Sequence, residues 1–144
     1  MRIALASDHA AVALRQAIGQ HLQKLGHTIE DLGCDADDRV DYPQYAAAVA
    51  GAVLHGGCDK GVLLCGTGIG MSIVANKFEG IRAALVHDVT TARLASEHNA
   101  ANVLCLGART TGPLIATECV SAWLQTPFDP RHQVRLDLIA KIEG

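Results

Sequence analysis

Along the chain, short apolar runs alternate with longer segments in which apolar residues return every three or four positions. The run RIALAS (2–7) has the length and continuity of a buried strand. Ala11, Leu14, Ile18, Leu22 and Leu25 then recur at helical spacing, and Gly26 closes that segment, because glycine readily takes the left-handed conformation in which helices end. Residues 27–33 predict a second strand and 42–55 a second helix, with Pro43 in the first turn, where its missing N–H breaks no helical bond. KGVLLC (60–65) predicts a third strand, followed by a glycine-rich turn and a helix to about Asn76. Strands over 81–86 and 102–107 and helices over 90–98, 113–124 and about 131–143 complete the series, the last carrying Val134, Leu138, Ile139 and Ile142.

Regular alternation of this kind, with strands apolar throughout, predicts an α/β protein. The expected architecture is a three-layer α/β/α sandwich around a five-stranded parallel sheet with right-handed crossovers. The length, 144 residues, suits one domain, and no repeat, low-complexity tract or Pro/Ser-rich linker divides it. In such sheets ligands bind outside the carboxyl ends of the strands, near a topological switch point. Those ends read Ser7-Asp8-His9, Cys65-Gly66-Thr67, Val86-His87-Asp88 and Gly107-Ala108-Arg109. Polar chemistry collects there.

Charge narrows the class of partner. The net charge is −3 and the basic residues are scattered, so neither nucleic acid nor an anionic membrane has an electrostatic footprint to bind. No apolar stretch reaches membrane-spanning length, and a charged residue already stands at position 8, so a small soluble ligand and a cytoplasmic setting are expected. The five cysteines show no metal or redox spacing, and the seven histidines show no metal-binding pattern. Neither a disulfide framework nor a metal site is expected, and most of the thiols should pack as small hydrophobes.

Within LLCGTGIGMS, Gly66, Gly68 and Gly70 stand at alternate positions between a strand and a helix. Such a turn lets backbone N–H groups converge on an anion or a developing oxyanion, although the spacing matches neither a dinucleotide fingerprint nor a P-loop. Cys65 opens the turn. A free cysteine, with pKa ~8.5, is only slightly ionised near neutrality, and amide dipoles at a strand-to-helix turn favour its thiolate. It reads as a reactive base or as a buried structural thiol. Asp8 reads as a helix N-cap or a site carboxylate, and His9 as an anion donor at the crevice. His98-Asn99 suits a helix end, the imidazole complementing the dipole and Asn99 taking a left-handed cap, or a titratable pair. Asp88 reads as another N-cap. Arg131 and Arg135, four apart on one face of the last helix, could with Arg109 clamp a phosphate, whose oxygens match the guanidinium fork.

SDHA, DYP, CGTGIGMSIVANK, EHNAANVLCLGAR and RHQVR occur in that order across nearly the whole chain. Together they resemble the ribose-5-phosphate isomerase B family, which also includes galactose-6-phosphate and allose-6-phosphate isomerases. The resemblance implies a Rossmann-like sandwich, a homodimer or dimer of dimers with sites built between subunits, no metal and no organic cofactor. It implies interconversion of aldose and ketose phosphates through a cis-enediolate. Cys65 then corresponds to the base that moves a proton between C2 and C1, Thr67 to a hydrogen-bonding partner of the reacting oxygens, and the amides of residues 66–70, including Gly66, Gly68 and Gly70, to the enediolate donors. Asp8 and His98 correspond to the ring-opening pair, His9, Arg109, Arg131 and Arg135 to the phosphate contacts, and Tyr42 and Asn99 to substrate-positioning groups. The branch that uses a glutamate base a turn later is excluded, since Met71 stands there. Ala11 replaces a common glycine, and Pro130 departs from the pattern just before Arg131. Two rivals stay open: a six-carbon sugar phosphate as substrate, and a mononucleotide-binding regulatory module that uses the glycines for phosphate alone.

Overall fold

The computed structural model describes residues 1–144. In chain order it contains β1 (Arg2–Ser7), α1 (Val12–Lys24), β2 (Thr28–Asp31), α2 (Tyr42–Leu54), β3 (Lys60–Cys65), α3 (Ile69–Ala75), β4 (Ala83–Leu85), α4 (Val89–Asn99), β5 (Val103–Gly107), α5 (Pro113–Gln125) and α6 (Gln133–Glu143). Short 3-10 turns, His9–Ala11 and Pro130–His132, lead into α1 and α6. All strand pairs are parallel, in the order β2-β1-β3-β5-β4. This is the α/β sandwich that the alternation of runs implied.

The central strands are apolar throughout because each faces two cores. Ile3 and Leu5 of β1, Val62 and Leu64 of β3, and Leu104 and Leu106 of β5 join one core with α1, α4 and α5. Their neighbours Ala4, Ala6, Leu63, Cys65, Val103 and Cys105 point the other way, into a core with α2 and α3. Trp123 of α5 is fully buried in the first core, and its indole N–H donates to the carbonyl oxygen of Ala101 at 2.9 Å, so the ring brings no unpaired polar atom inside. No helix is long and apolar enough to cross a membrane.

The outer strands are shorter than their apolar runs predict, because an edge has only one paired side to extend it. β4 keeps three residues, and on its unpaired side the Asn76 carboxamide meets Ala83, donating to its carbonyl oxygen and accepting from its N–H, each at 2.9 Å. α6 has no buried residue: Val134, Leu138 and Ile142 form an i, i+4, i+8 stripe that stays exposed.

Three local expectations need correction. Leu25 is the C-cap of α1 and is exposed, so the buried stripe stops at Leu22. The left-handed residue after α4 is Ala100 (φ 44°, ψ 42°), not Asn99, which is the last helical residue. The cap closes by Ala101 N–H donating to Ala95 O at 2.9 Å, a geometry that puts the left-handed residue just beyond the helix, and Arg82 holds it by donating to Ala100 O from Nε (3.1 Å) and Nη2 (3.0 Å). Arg131 lies in the 3-10 turn, one element before Arg135, because Asp129 caps Arg131 N–H and Pro130 opens a tight turn ahead of α6.

A Cβ is disfavoured in the left-handed region by about 1–2 kcal/mol, of which glycine's extra unfolded-state freedom offsets about 0.4–1. Ala100→Gly should therefore raise stability by roughly 0.5 kcal/mol in urea unfolding. A lower midpoint would show that the cap carries no strain.

Candidate active site

The strand order reverses between β1 and β3: β2 lies outside β1 on one side, and the chain then builds β3, β5 and β4 on the other. Ser7 is in register with Leu64, and Cys65 with Gly107. Asp8 N–H donates to Leu64 O (3.3 Å), Ala108 N–H to Cys65 O and Arg109 N–H to Gly66 O (both 2.9 Å). Three strand ends are thus tied side by side. A cleft of about 470 Å³ opens over them, lined by Asp8, His9, Tyr42, Cys65, Gly66, Thr67, Gly70 and Arg109 together with Ala10, Ile69 and Ile73.

Cys65 is 5 % exposed, but it lies on the wall of this cleft, and its Sγ accepts the Gly68 N–H at 3.1 Å. The other four thiols do not line the cleft. Burial pushes those of Cys34, Cys58, Cys105 and Cys119 up, Cys119 to about 11. Thr67 Oγ1 accepts the Ile69 N–H at 3.3 Å, which leaves its own O–H free to donate. The amides of Gly66, Thr67 and Gly70 have no backbone partner. Gly68 has φ 78°, and a Cβ there would stand 2.9 Å from the Leu106 carbonyl carbon, so both conformation and space require glycine. At Gly70 a Cβ would meet the Tyr42 ring at 2.4 Å, so the glycine lets the tyrosine pack directly on the turn.

Asp8 is 8 % exposed and is the N-cap of the 3-10 turn, its Oδ1 accepting the Ala10 N–H at 2.9 Å. His9 is exposed, and its Nδ1 lies 3.2 Å from Val40 N and 3.1 Å from Val40 O, leaving Nε2 without a protein partner. Asp88, as expected, caps α4, accepting the Thr91 N–H at 2.7 Å.

His98, Asn99, Arg131 and Arg135 are not in this cleft. His98 stacks on His132 with ring centroids 4.4 Å apart. Arg131 Nε lies 3.1 Å from His132 Nε2, and Arg135 Nη1 lies 2.9 Å from Nδ1. A neutral imidazole can accept on only one nitrogen, so the two guanidiniums compete for it. Asp129 pairs with Arg131 at 2.9 Å, and Glu97 lies 3.6 Å from His98. Asn99 lines a separate, largely apolar cavity of about 380 Å³ with Arg82, Ile139 and Ile142.

Residues 3–139 match the family described as Ribose/Galactose Isomerase. The chain belongs to this family. It is an isomerase, 43 % identical to ribose-5-phosphate isomerase B of Escherichia coli over 99 % of this chain and 96 % of that one. It is 45 % identical to D-erythrulose-4-phosphate isomerase of Pectobacterium atrosepticum, covering 90 % and 86 % of the two chains. Among solved structures, ribose-5-phosphate isomerase B of Clostridium thermocellum superposes with a TM-score of 0.96 at 43 % identity, covering 99 % of this chain and 97 % of that one.

One side chain of the isomerase's cationic patch escaped the sequence reading. His132, inside RHQVR, sits between the two arginines at the centre of the patch, where no spacing in the sequence distinguishes it from its charged neighbours. Partial burial first, then His98 and the two guanidiniums, lower its pKa from the ordinary imidazole value. Between that value and its own lower one, the unfolded chain takes up a proton that the folded chain does not, so acidification through this window erodes stability. An anion among these groups would reverse the preference and favour the imidazolium. In an NMR titration His132 should have a midpoint below about 6.5, and inorganic phosphate should move it upward. A midpoint indifferent to phosphate would remove the patch as an anion site.

Proposed function

We propose that this isomerase interconverts ribose 5-phosphate and ribulose 5-phosphate, with Cys65 as the base. The observation that carries the reading is one sulfur on the wall of a polar cleft, beside a threonine hydroxyl and unpartnered turn amides. In the open-chain aldose, Cys65 thiolate takes the C2 proton and the electrons pass to O1, giving a cis-enediolate. The proton then returns to C1 while the O2 hydroxyl proton passes to O1, which leaves the carbonyl at C2. Thr67 and the amides of Gly66 and Gly70 donate to the oxygens as charge develops, where a single well-placed donor is worth about 3 kcal/mol. Gly68's own amide steadies the sulfur between transfers. Asp8 and His98 open the furanose ring. His9, Arg109, Arg131 and Arg135 hold the phosphate, converting its binding energy into orientation of a small reacting centre, and Tyr42 and Asn99 position the sugar.

The groups needed for this chemistry divide between the cleft and the patch of His98, Arg131 and Arg135, and the exposed stripe on α6 has nothing of its own chain to cover it. Both facts support a homodimer in which the patch of one copy completes the cleft of the other. Two relatives act, by their names, on five- and four-carbon sugar phosphates, and the family name adds galactose, so chain length is the open variable. The six-carbon phosphates remain the alternative substrates.

Cys65→Ala should lower kcat for ribose 5-phosphate by about 10³-fold, the scale of general-base catalysis, while phosphate still binds. Full activity in that variant would remove the base. Mixing Cys65→Ala with His98→Ala, each inactive alone, should restore roughly a quarter of wild-type activity, because half the random dimers are hybrids and each hybrid has one intact site. No recovery would place both groups in one subunit's site. Comparing kcat/KM for tetrose, pentose and hexose phosphates assigns the substrate.

A further inference from the structure

Arg15 is the one buried arginine of the chain, 5 % exposed on the inner side of α1. A buried guanidinium is tolerated only when its donors all find acceptors. Here Nη1 donates to Ser7 Oγ at 2.8 Å, Nη2 to Cys34 O at 2.7 Å, and Nε lies 3.1 and 3.3 Å from the two oxygens of Asp31. Asp31 Oδ1 in turn accepts the Gly33 N–H at 2.9 Å. Gly33 packs so tightly on the guanidinium that a Cβ there would stand 2.0 Å from Nη1. All these partners lie at the carboxyl ends of β1 and β2 or at the start of the segment that leaves β2.

That segment, residues 32–41, leads to the cleft by two routes. Its Val40 backbone engages the His9 ring, and it ends at Tyr42, the first residue of α2, whose ring lies on Gly70. Ser7, the third acceptor, immediately precedes Asp8 and His9. Apart from Arg15, the Gly33–Asp31 bond and the Val40–His9 contact, the segment's polar ties are few: Leu32 N–H donates to Leu5 O (2.8 Å) and Asp38 N–H to Asp35 O (3.2 Å). We propose that Arg15 is a positioning residue: it clamps the 32–41 segment against the end of β1, so that His9 and Tyr42 stand at the substrate cleft. Arg15 itself does not line the cleft, and it acts through the backbone of Cys34 and the side chains of Ser7 and Asp31. The inference rests on the isomerase reading for its kinetic consequence, but not for the contact itself.

Two variants attack the clamp from opposite sides. Arg15→Met removes the donors, and Gly33→Ala leaves them but drives a methyl group into the guanidinium; Arg15→Lys keeps the charge without the fork. In steady-state assays with ribose 5-phosphate, Arg15→Met and Gly33→Ala should raise KM about tenfold, the scale of one lost hydrogen bond to a charged group, with kcat per folded site within about threefold of wild type. Arg15→Lys should fall between. The second readout needs no turnover: Arg39 is exposed within the segment, and trypsin should cut after it several-fold faster in both variants than in wild type. Unchanged KM, with Vmax falling only as the folded fraction falls, would reduce Arg15 to a structural role and overturn the proposal, as would unchanged cleavage. If Arg15→Met does not fold, Gly33→Ala alone decides. A wild-type protein inactive on every sugar phosphate would sink the isomerase reading, while the cleavage rates would still show whether Arg15 holds the segment.

Discussion

The pairing of β1 with β3 is the constraint on which the rest of the molecule depends. Parallel register sets Ser7 beside Leu64, and one residue further on the chains part, Asp8 into a 3-10 turn and Cys65 into the glycine turn. A shift of one position would exchange the two faces of the strand, turning Cys65 away from the core with α2 and α3 and sending Leu64 into it. The alternation of large and small side chains prevents this. Ala4 and Ala6 share one core with Ala46 and Ala50 of α2, and Ile3 and Leu5 belong to the core on the other side. Chemistry at the strand ends therefore inherits its precision from packing several residues away.

Electrostatics divides the molecule differently. Negative charge developing on a substrate would meet amide dipoles in the cleft and full positive charges in the patch around His132, two kinds of donor with different uses. Fixed amides need no counter-ion and no reorientation, so they suit a charge that appears only briefly. Guanidiniums suit a permanent dianion. Within one chain two arginines compete for a single imidazole there, and Asp129 and Glu97 pair with Arg131 and His98.

Much of this was legible in the sequence because the signals were periodic or local. Unbroken apolar strands announced a sheet covered on both faces, and residues at three of the four named strand ends proved to be neighbours in the cleft, Asp8, His9, Cys65, Thr67 and Arg109, whereas His87 and Asp88 beyond β4 do not line it. What escaped depended on three-dimensional closure. Ala100 takes the left-handed corner because the cap places it one residue after the helix, and alanine gives no hint of that. Arg131 left the helical face because a proline and an acidic cap tightened its turn. Arg15 did carry a signal. It lies four residues after Ala11 and three before Ile18, a charge on the apolar stripe of α1, where a long cation has to find buried acceptors.

The Asn76 carboxamide has a consequence beyond its own loop. An edge strand normally presents free N–H and C=O groups on which another chain can add a strand. At Ala83 a side chain already occupies both, imitating the backbone of a sixth strand without its length. At that residue the border of the sheet has no free backbone pair on which a further strand could dock.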